Sequence, residues 1–267
     1  LAIDFQLFWG EQKTTPAQRK FLGSLGVGVW AGAVVEENNP YRSLEAPVAA
    51  FAVASERAAF LRKVYGILFL GILGFAATLW ASANVPVVHD WSMSIGRAIY
   101  GSRFGWLLYM AIFIGGSMAV HSVAERKVLG GVAFGVWAFV LALLVSPIVL
   151  MVNGMADGAT IISQASGLTA LVFGGLTAYV LYTGSDFSWL RGALTVLFFA
   201  LMGVALLGWL MGFTLGLWYS LAVVMMFAGY ILYDTSQILH RLPTTMAMSG
   251  AILLFTDVVL LFKHLLI

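Results

Sequence analysis

Long apolar runs separated by short polar stretches fill the chain from about residue 64 onward. A membrane-spanning helix needs ~20 consecutive, mostly apolar residues, and the runs from residue 64 onward meet that requirement. The pattern therefore predicts an all-α integral membrane protein, a seven-transmembrane-helix bundle. The predicted spans are about Val64–Ala83, Phe104–Ala124, Val128–Val152, Ala159–Thr183, Ala193–Phe213, Leu215–Asp234 and Met246–Leu266.

The first 60 residues follow a different pattern. The stretch Gly23–Val35 is apolar but too short for a span, so we interpret it as an interfacial or partner-docking segment. A shallow re-entrant segment is the less favoured alternative. Asn38–Pro47 is a turn-rich linker, and Val48–Lys63 predicts a helix at the membrane surface that runs into the first span. We expect an arm, linker and interfacial helix over residues 1–60 and a membrane domain over residues 61–267.

Composition supports the membrane class and excludes others. The 267 residues are 61% hydrophobic and 10% charged, whereas soluble domains carry about 25% charged residues. The chain has no cysteine, which excludes disulfides and thiolate nucleophiles. A net charge of +2 does not indicate nucleic-acid binding. Because the sequence contains no phosphate loop, serine nucleophile elbow or HExxH motif, we do not expect an enzyme.

Basic residues between the spans predict the orientation. Most of them fall on one side of the predicted membrane, at Arg57, Arg62, Lys63, Arg126, Lys127, Arg191 and Arg241. Cytoplasmic loops carry such an excess, so we expect a cytoplasmic N-terminus, although Arg97 and Arg103 oppose it. Paired glycines inside the spans, such as Gly115-Gly116 and Gly174-Gly175, predict close helix packing rather than a ligand site.

Two aspartates lie inside the last two predicted spans. An ionisable group at membrane depth is costly, and its default interpretation is a functional site. Asp234 lies about 9 Å and Asp257 about 18 Å inward from the turn between these spans, at 1.5 Å per residue. A tilted or broken last helix would reduce the difference and let the carboxyl groups meet. Two close carboxylates repel, so they would share one proton or bind a cation, and Ca²⁺ prefers such oxygen ligands.

Other polar residues supply alternatives and partners. Asp234 has a second interpretation, as a helix cap paired with His240 or Arg241. His121 shares a helix face with Glu125, which favours an interfacial pair, and the alternative is a proton-sensing partner of the aspartates. Asp186 is interpreted as a loop cap.

Two segments resemble the Bax inhibitor-1 (transmembrane Bax inhibitor motif) family, and the likeness extends over about residues 38–267. GYILYDTSQILHR (Gly229–Arg241) is similar to the family signature on the sixth span, and RAAFLRKVYGIL (Arg57–Leu68) is similar to its entry into the first. The loop DFSWLRG (Asp186–Gly192) resembles that of bacterial members. The resemblance implies seven helices with the last helix central, and a buried pH-sensing aspartate pair, here Asp234 and Asp257, that controls a calcium leak.

The resemblance also implies a basic residue late in the second span that latches the pair. The matching position falls near Ala124, between His121 and Arg126. The pair would therefore be stabilised by a shared proton, by a bound cation such as Ca²⁺, or by His121 or Arg126.

We expect a pH-sensitive cation leak channel, with Ca²⁺ as the ion, in a bacterial cytoplasmic membrane. The alternative is a non-transporting accessory subunit that docks on a larger membrane complex through residues 1–37, which resemble no part of the family.

Overall fold

The computed structural model describes residues 47–102, 104–212 and 214–266, and the regular elements in these ranges are α-helices. The predicted N-terminal arm, with its docking segment, lies outside the described residues. The helices are α1 (Ala54–Asn84), α2 (Pro86–Tyr100), α3 (Gly105–Val123), α4 (Lys127–Asn153), α5 (Gly158–Thr183), α6 (Leu190–Met211), α7 (Leu217–His240) and α8 (Ala247–Leu266).

Six of these helices, α1 and α4 to α8, are long and apolar enough to cross a membrane. The apolar helix α3 is shorter, with a described apolar run over Leu107–Val123. Large apolar side chains are exposed around the outside of the bundle, as at Leu171 and Val196, which are both 71% exposed. A surface of this kind suits lipid. The described chain is therefore a helical, multi-pass membrane protein with six clear candidate spans.

Helix α1 begins later than the sequence pattern predicted. Residues 47–49 pair in an extended conformation with the α7–α8 connection: Ala49 N–H donates to the Leu242 carbonyl at 3.0 Å, and Thr244 N–H donates to that of Pro47 at 3.0 Å. This pairing uses backbone groups that a helix would need. The predicted interfacial helix Val48–Lys63 is therefore wrong over residues 48–53, and the remainder is the start of one 31-residue helix.

Helix α2 lies between the first two predicted spans, where the sequence pattern predicts a loop. It opens with Pro86 at its first turn, where proline costs no helical hydrogen bond. It packs against α1, α3 and α4, and the Tyr100 hydroxyl donates to the Leu144 carbonyl at 3.1 Å. The connection between α1 and α3 is thus a helix that packs against the bundle.

Helix α8 packs against α1, α4, α5 and α7, and most of its residues are buried. The Phe255 ring meets the edges of Phe75 and Phe134 at centroid distances of 6.2 and 5.3 Å. These contacts pack α8 against several neighbouring helices, and Asp257 and Ser249 are among its buried residues.

The glycine pairs meet different surroundings. A side chain at Gly116 would overlap the Trp137 ring, as close packing requires, whereas Gly115, Gly174 and Gly175 have open space where a Cβ would lie. The prediction of close packing is therefore confirmed at Gly116 and wrong at the other three.

Candidate functional site

Asp234 and Asp257 face each other across two consecutive helices. Asp234 lies on α7 and Asp257 on α8, and the two side chains are only 7% and 6% exposed. The Asp257 carboxyl group interacts directly with that of Asp234. Two ionised carboxylates at short range repel, which favours a proton on one of the two groups. The two carboxyl groups are therefore placed to share one proton.

One carboxyl oxygen of the pair lacks a hydrogen-bond partner. Asp257 Oδ2 is buried without a hydrogen-bond partner among the described residues. The neighbouring Thr256 hydroxyl is committed to the Ile252 carbonyl at 2.9 Å, so it does not serve the carboxyl group. A buried oxygen without a partner is costly unless it carries a proton or meets water or a cation. The carboxyl pair can therefore interact with a third group.

Three buried hydroxyl groups from different helices meet inside the bundle. Tyr65 on α1 faces the side chains of Thr177 on α5 and Thr235 on α7, and Thr235 directly follows Asp234 in the chain. None of the three oxygens completes a direct hydrogen bond within the described part of the chain. We call these three residues the hydroxyl cluster. The sequence gives no signal for this cluster, because the three positions lie on different helices, 58 or more residues apart.

The structure does not bring His121 to the aspartates. Its Nδ1 lies 2.8 Å from the Ser117 carbonyl, one turn earlier on α3, and its Nε2 is buried without a hydrogen-bond partner in the described ranges. The expected contact with Glu125 is replaced, because Glu125 Oε1 accepts hydrogen bonds from the backbone N–H and hydroxyl of Ser249 on α8. Arg126 is exposed in the α3–α4 turn.

His240 binds a loop rather than the aspartate pair. Its Nε2 lies 3.1 Å from the Gly184 carbonyl and its Nδ1 lies 3.0 Å from that of Ser236. Arg241 is exposed and interacts electrostatically with Asp186. The interpretation of Asp234 as a surface cap loses support, because Asp234 is buried against Asp257.

The loop between α5 and α6 is built around Asp186. Its Oδ1 accepts a hydrogen bond from the Ser188 N–H at 2.8 Å, so the predicted loop cap is present. This hydrogen bond lowers the pKa of Asp186, with smaller contributions from Arg241 and His240. The Phe187 N–H donates to the Ser236 hydroxyl at 2.9 Å, which fastens the loop to α7.

The aspartate pair offers few ligands for a resident metal. Within the residues described, no group of three or more His, Cys, Asp or Glu side chains could hold a metal ion. Ca²⁺ takes six to eight oxygen ligands, so Asp234 and Asp257 would supply a minority of its shell.

Buried carboxyl groups inside a bundle of apolar helices define a polytopic membrane protein with a polar interior site. A sequence model of the family described as inhibitor of apoptosis-promoting Bax1 matches residues 57–267, and the chain belongs to this Bax inhibitor-1 family.

Relatives in several kingdoms share the domain. An uncharacterised protein of Pseudomonas aeruginosa is 32% identical over 71% of this chain and 80% of its own length. Protein lifeguard 4 of Mus musculus is 31% identical over 79% of this chain and 84% of its own. The Golgi anti-apoptotic protein of vaccinia virus is 29% identical over 79% of this chain and 84% of its own length.

Proposed function

We propose that the protein is a pH-sensitive leak channel for cations, with Ca²⁺ as the transported ion, gated by Asp234 and Asp257. The observation that carries the proposal is the direct interaction between two buried carboxyl groups on consecutive helices. Structural packing alone does not favour such a pair, because each carboxyl group costs several kcal/mol in an apolar interior. Family membership of the chain supports the same choice.

The gate works through the shared proton. With one proton bound, the hydrogen bond joins α7 to α8 and the pair carries a single negative charge. When that proton leaves, two negative charges face each other at short range and repel. They then separate or accept a divalent cation, which neutralises both. Loss of the proton therefore opens the path and also creates its cation site.

Flux into liposomes tests the gate. Purified protein is reconstituted, and ⁴⁵Ca²⁺ uptake is followed between pH 5 and 8. Asp257→Asn removes one ionisable group but keeps the size of the side chain, so flux should lose its pH dependence. The matched control is Asp157→Asn, an exposed position between α4 and α5, which should behave as the unaltered protein. Unchanged pH-dependent flux in Asp257→Asn would overturn the assignment.

The topology is part of the proposal. We place α3 in the membrane as a seventh span, α8 at the centre of the bundle, and the N-terminus in the cytoplasm of a bacterium. Because the chain has no cysteine, single cysteines can be introduced at exposed turns, such as Arg126 and Asp157, without background. Impermeant maleimide added to intact cells should label Asp157→Cys and spare Arg126→Cys; the reverse labelling would invert the orientation.

A second function is supported by a different observation. The family match begins at residue 57, so the preceding segment is additional to the shared domain. We propose as the alternative a non-transporting, non-enzymatic accessory subunit that docks on a larger membrane complex through residues 1–37. Purification in mild detergent separates the two functions. A partner that co-migrates with the full chain and is lost on deletion of residues 1–37, with flux at background, favours the subunit.

A further inference from the structure

We propose that α2 is an interfacial helix whose face directed away from the bundle binds the lipid surface. Polar residues of that face lie at the level of the lipid headgroups, and the apolar side chains beside them contact the acyl chains. The partner is the bilayer itself. This placement does not depend on transport, because it rests on the shape and surface of α2.

Helix α2 is too short to cross the membrane. It contains 15 residues, about 22 Å at 1.5 Å per residue, whereas the hydrocarbon core is about 30 Å thick. Val85 alone, in an extended conformation, separates Asn84 at the end of α1 from Pro86 at the start of α2. Helix α2 therefore begins where a candidate span ends.

One face of α2 is fixed on α4. A Cβ at Gly96 would lie 2.9 Å from the Cβ of Pro147, so the α2 backbone lies directly against the proline ring. The Tyr100 hydroxyl donates to the Leu144 carbonyl at 3.1 Å, and Ile99 is buried. The opposite face of α2 is thus directed away from the bundle.

That opposite face carries three exposed polar residues, which we call the polar ridge. Asp90, Ser94 and Arg97 follow one another at spacings of four and three residues, which places them on one side of the helix. The Arg97 guanidinium group donates to the Ser94 hydroxyl at 3.2 Å. One acidic and one basic residue leave the ridge without net charge. Helix α2 would therefore bind lipid through its apolar area rather than through attraction to anionic lipids.

Large apolar side chains border the polar ridge on both sides, and we call them the apolar flanks. Val87 and Trp91 form one flank and are 56% and 51% exposed. Met93 and Tyr100 form the other and are 39% and 49% exposed. In water these side chains would remain exposed, whereas at a bilayer surface both flanks reach the acyl chains. Trp and Tyr are the residues that favour this depth.

The Trp91 flank is continuous with the lipid-facing surface of α4. The Trp91 ring meets the Phe139 ring edge-on at a centroid distance of 6.5 Å. Phe139 is exposed, and so are Val132 and Val136 on the same face of α4. A bilayer covers this joined apolar surface without a break, which favours lipid as the partner of α2.

The collision rates of nitroxide labels with two probes measure the depth of α2 residues. Because the chain has no cysteine, single labels can be attached to purified protein in liposomes. The positions are Val87→Cys and Met93→Cys in the flanks, and Asp90→Cys and Ser94→Cys in the ridge. Oxygen concentrates among the acyl chains, whereas a water-soluble nickel chelate stays outside them. The ratio of oxygen to nickel-chelate collision rates should be several-fold higher in the flanks than in the ridge.

Two further positions calibrate that ratio. Leu171→Cys lies at the exposed middle of α5 and should give the highest ratio, while Asp157→Cys lies in the α4–α5 turn and should give the lowest. Low ratios throughout α2 would place it in water, and ratios as high as at Leu171 throughout would place it inside the membrane. Protection of all four α2 positions from both probes would show that a protein, such as a second copy, covers the helix. Each of these three results would overturn the interfacial placement.

Met93 and Ser94 are a matched pair for the strength of the lipid contact. Met93→Asp places a charge in an apolar flank, where contact with lipid makes it costly, and should raise hydrogen exchange over α2 several-fold in liposomes. Met93→Ala shortens the side chain without adding a charge and should raise exchange less. Ser94→Asp adds the same charge on the polar ridge and should leave exchange unchanged. Equal exchange in Met93→Asp and Ser94→Asp would contradict the contact between this flank and lipid.

Lipid charge separates the two ways in which α2 could bind the surface. Because the polar ridge has no net charge, the collision ratios should be the same in phosphatidylcholine liposomes with and without phosphatidylglycerol. Flank and ridge positions that differ only when phosphatidylglycerol is present would show that α2 binds through charge, and would contradict binding through the apolar flanks.

Discussion

Glu125, in the turn between α3 and α4, holds the first turn of α8. Its Oε1 accepts hydrogen bonds from the Ser249 backbone N–H at 2.8 Å and from the Ser249 hydroxyl at 2.7 Å. The first N–H groups of a helix have no partner within it, and a carboxylate there also favours the helix dipole. The α3–α4 turn therefore caps the helix that carries Asp257.

Loss of this cap should destabilise the protein. We expect Glu125→Ala to lower the free energy of unfolding by about 1–2 kcal/mol, the usual value of a lost helix cap. Glu125→Gln keeps an accepting oxygen and should lose less. Thermal unfolding in detergent measures both. Asp157→Ala is the control, since Asp157 precedes α5 without a side-chain cap hydrogen bond. Equal losses in Glu125→Ala and Asp157→Ala would show that Glu125 does not act as a cap.

The sequence predicted the spans more accurately than the contacts between them. Apolar runs marked the spanning helices because burial in lipid selects apolar residues along the whole length of a span. Helix α2 was missed because His89, Asp90 and Arg97 interrupt its apolar pattern. A signal was nevertheless present in the sequence. Residues at helical spacing lie on the side of α2 that faces the protein, namely Val88, Ser92, Ile95 and Ile99.

The aspartate pair could be predicted from the sequence, and the hydroxyl cluster could not. Asp234 and Asp257 could be found because an acidic residue in an apolar run is conspicuous. The hydroxyl cluster could not, since threonine and tyrosine are ordinary in membrane helices and their meeting depends on how α1, α5 and α7 are arranged. The Glu125–Ser249 contact spans 124 residues, and helical spacing instead paired Glu125 with His121.

The α5–α6 loop should depend on one buried hydroxyl group of α7. The Ser236 hydroxyl accepts a hydrogen bond from the Phe187 N–H. Ser236 itself is only 1% exposed. Ser236→Ala would leave that N–H unsatisfied, at a cost of about 1–3 kcal/mol. We expect faster hydrogen exchange and faster proteolysis over residues 184–189. In Ser185→Ala, which removes an ordinary loop hydroxyl group, both rates should match the unaltered protein; a rise of the same size there would argue against the role of Ser236.

Acid should weaken the same loop. The Ser188 N–H and the nearby Arg241 and His240 lower the pKa of Asp186 in the folded protein. A lowered folded pKa means that the stabilisation is complete above the ordinary aspartate value, about 3.9, and is lost as the pH falls through the lowered value. Because Asp186 is exposed, solvent screening limits the effect to a few tenths of a kcal/mol.

Asp186→Asn isolates that contribution. The unaltered protein should unfold at a slightly higher temperature than Asp186→Asn at pH 6. The difference should shrink as the pH falls below about 3.9 and vanish below the lowered pKa of the folded protein. Differential scanning fluorimetry across this range measures it. A difference that stays constant with pH would exclude the ionised carboxylate as its source.

Two glycines on one helix should respond in opposite ways to alanine. A Cβ at Gly71 would overlap the ring of Phe134 on α4, while a Cβ at Gly66 would meet open space. Overpacking costs about 1–3 kcal/mol, so Gly71→Ala should destabilise the protein by that amount. Gly66→Ala should be neutral or slightly stabilising, because alanine favours a helix. Thermal unfolding of the two variants side by side tests the α1–α4 contact, and equal melting temperatures would contradict it.

Lys263 lies against the ring of Tyr109, which places a cation between α8 and α3. Its Nζ is 4.5 Å from the ring centroid and 3.4 Å from the hydroxyl oxygen. Tyr109 is 7% exposed, so the contact is partly shielded from water, where a cation–π pair is worth about 0.5–2 kcal/mol. Tyr109→Phe keeps the ring and should cost about 1 kcal/mol or less. Tyr109→Leu removes both interactions and should cost clearly more.

A double-mutant cycle separates the cation–π contact from the cavity that leucine leaves. Tyr109→Leu is measured in the unaltered protein and in Lys263→Met, which keeps the length of the side chain and removes its charge. If the ammonium group interacts with the ring, Tyr109→Leu should cost less in the Lys263→Met background, by about 0.5–2 kcal/mol. Equal costs in both backgrounds would show that Tyr109 contributes by packing alone and that the charge of Lys263 is stabilised elsewhere.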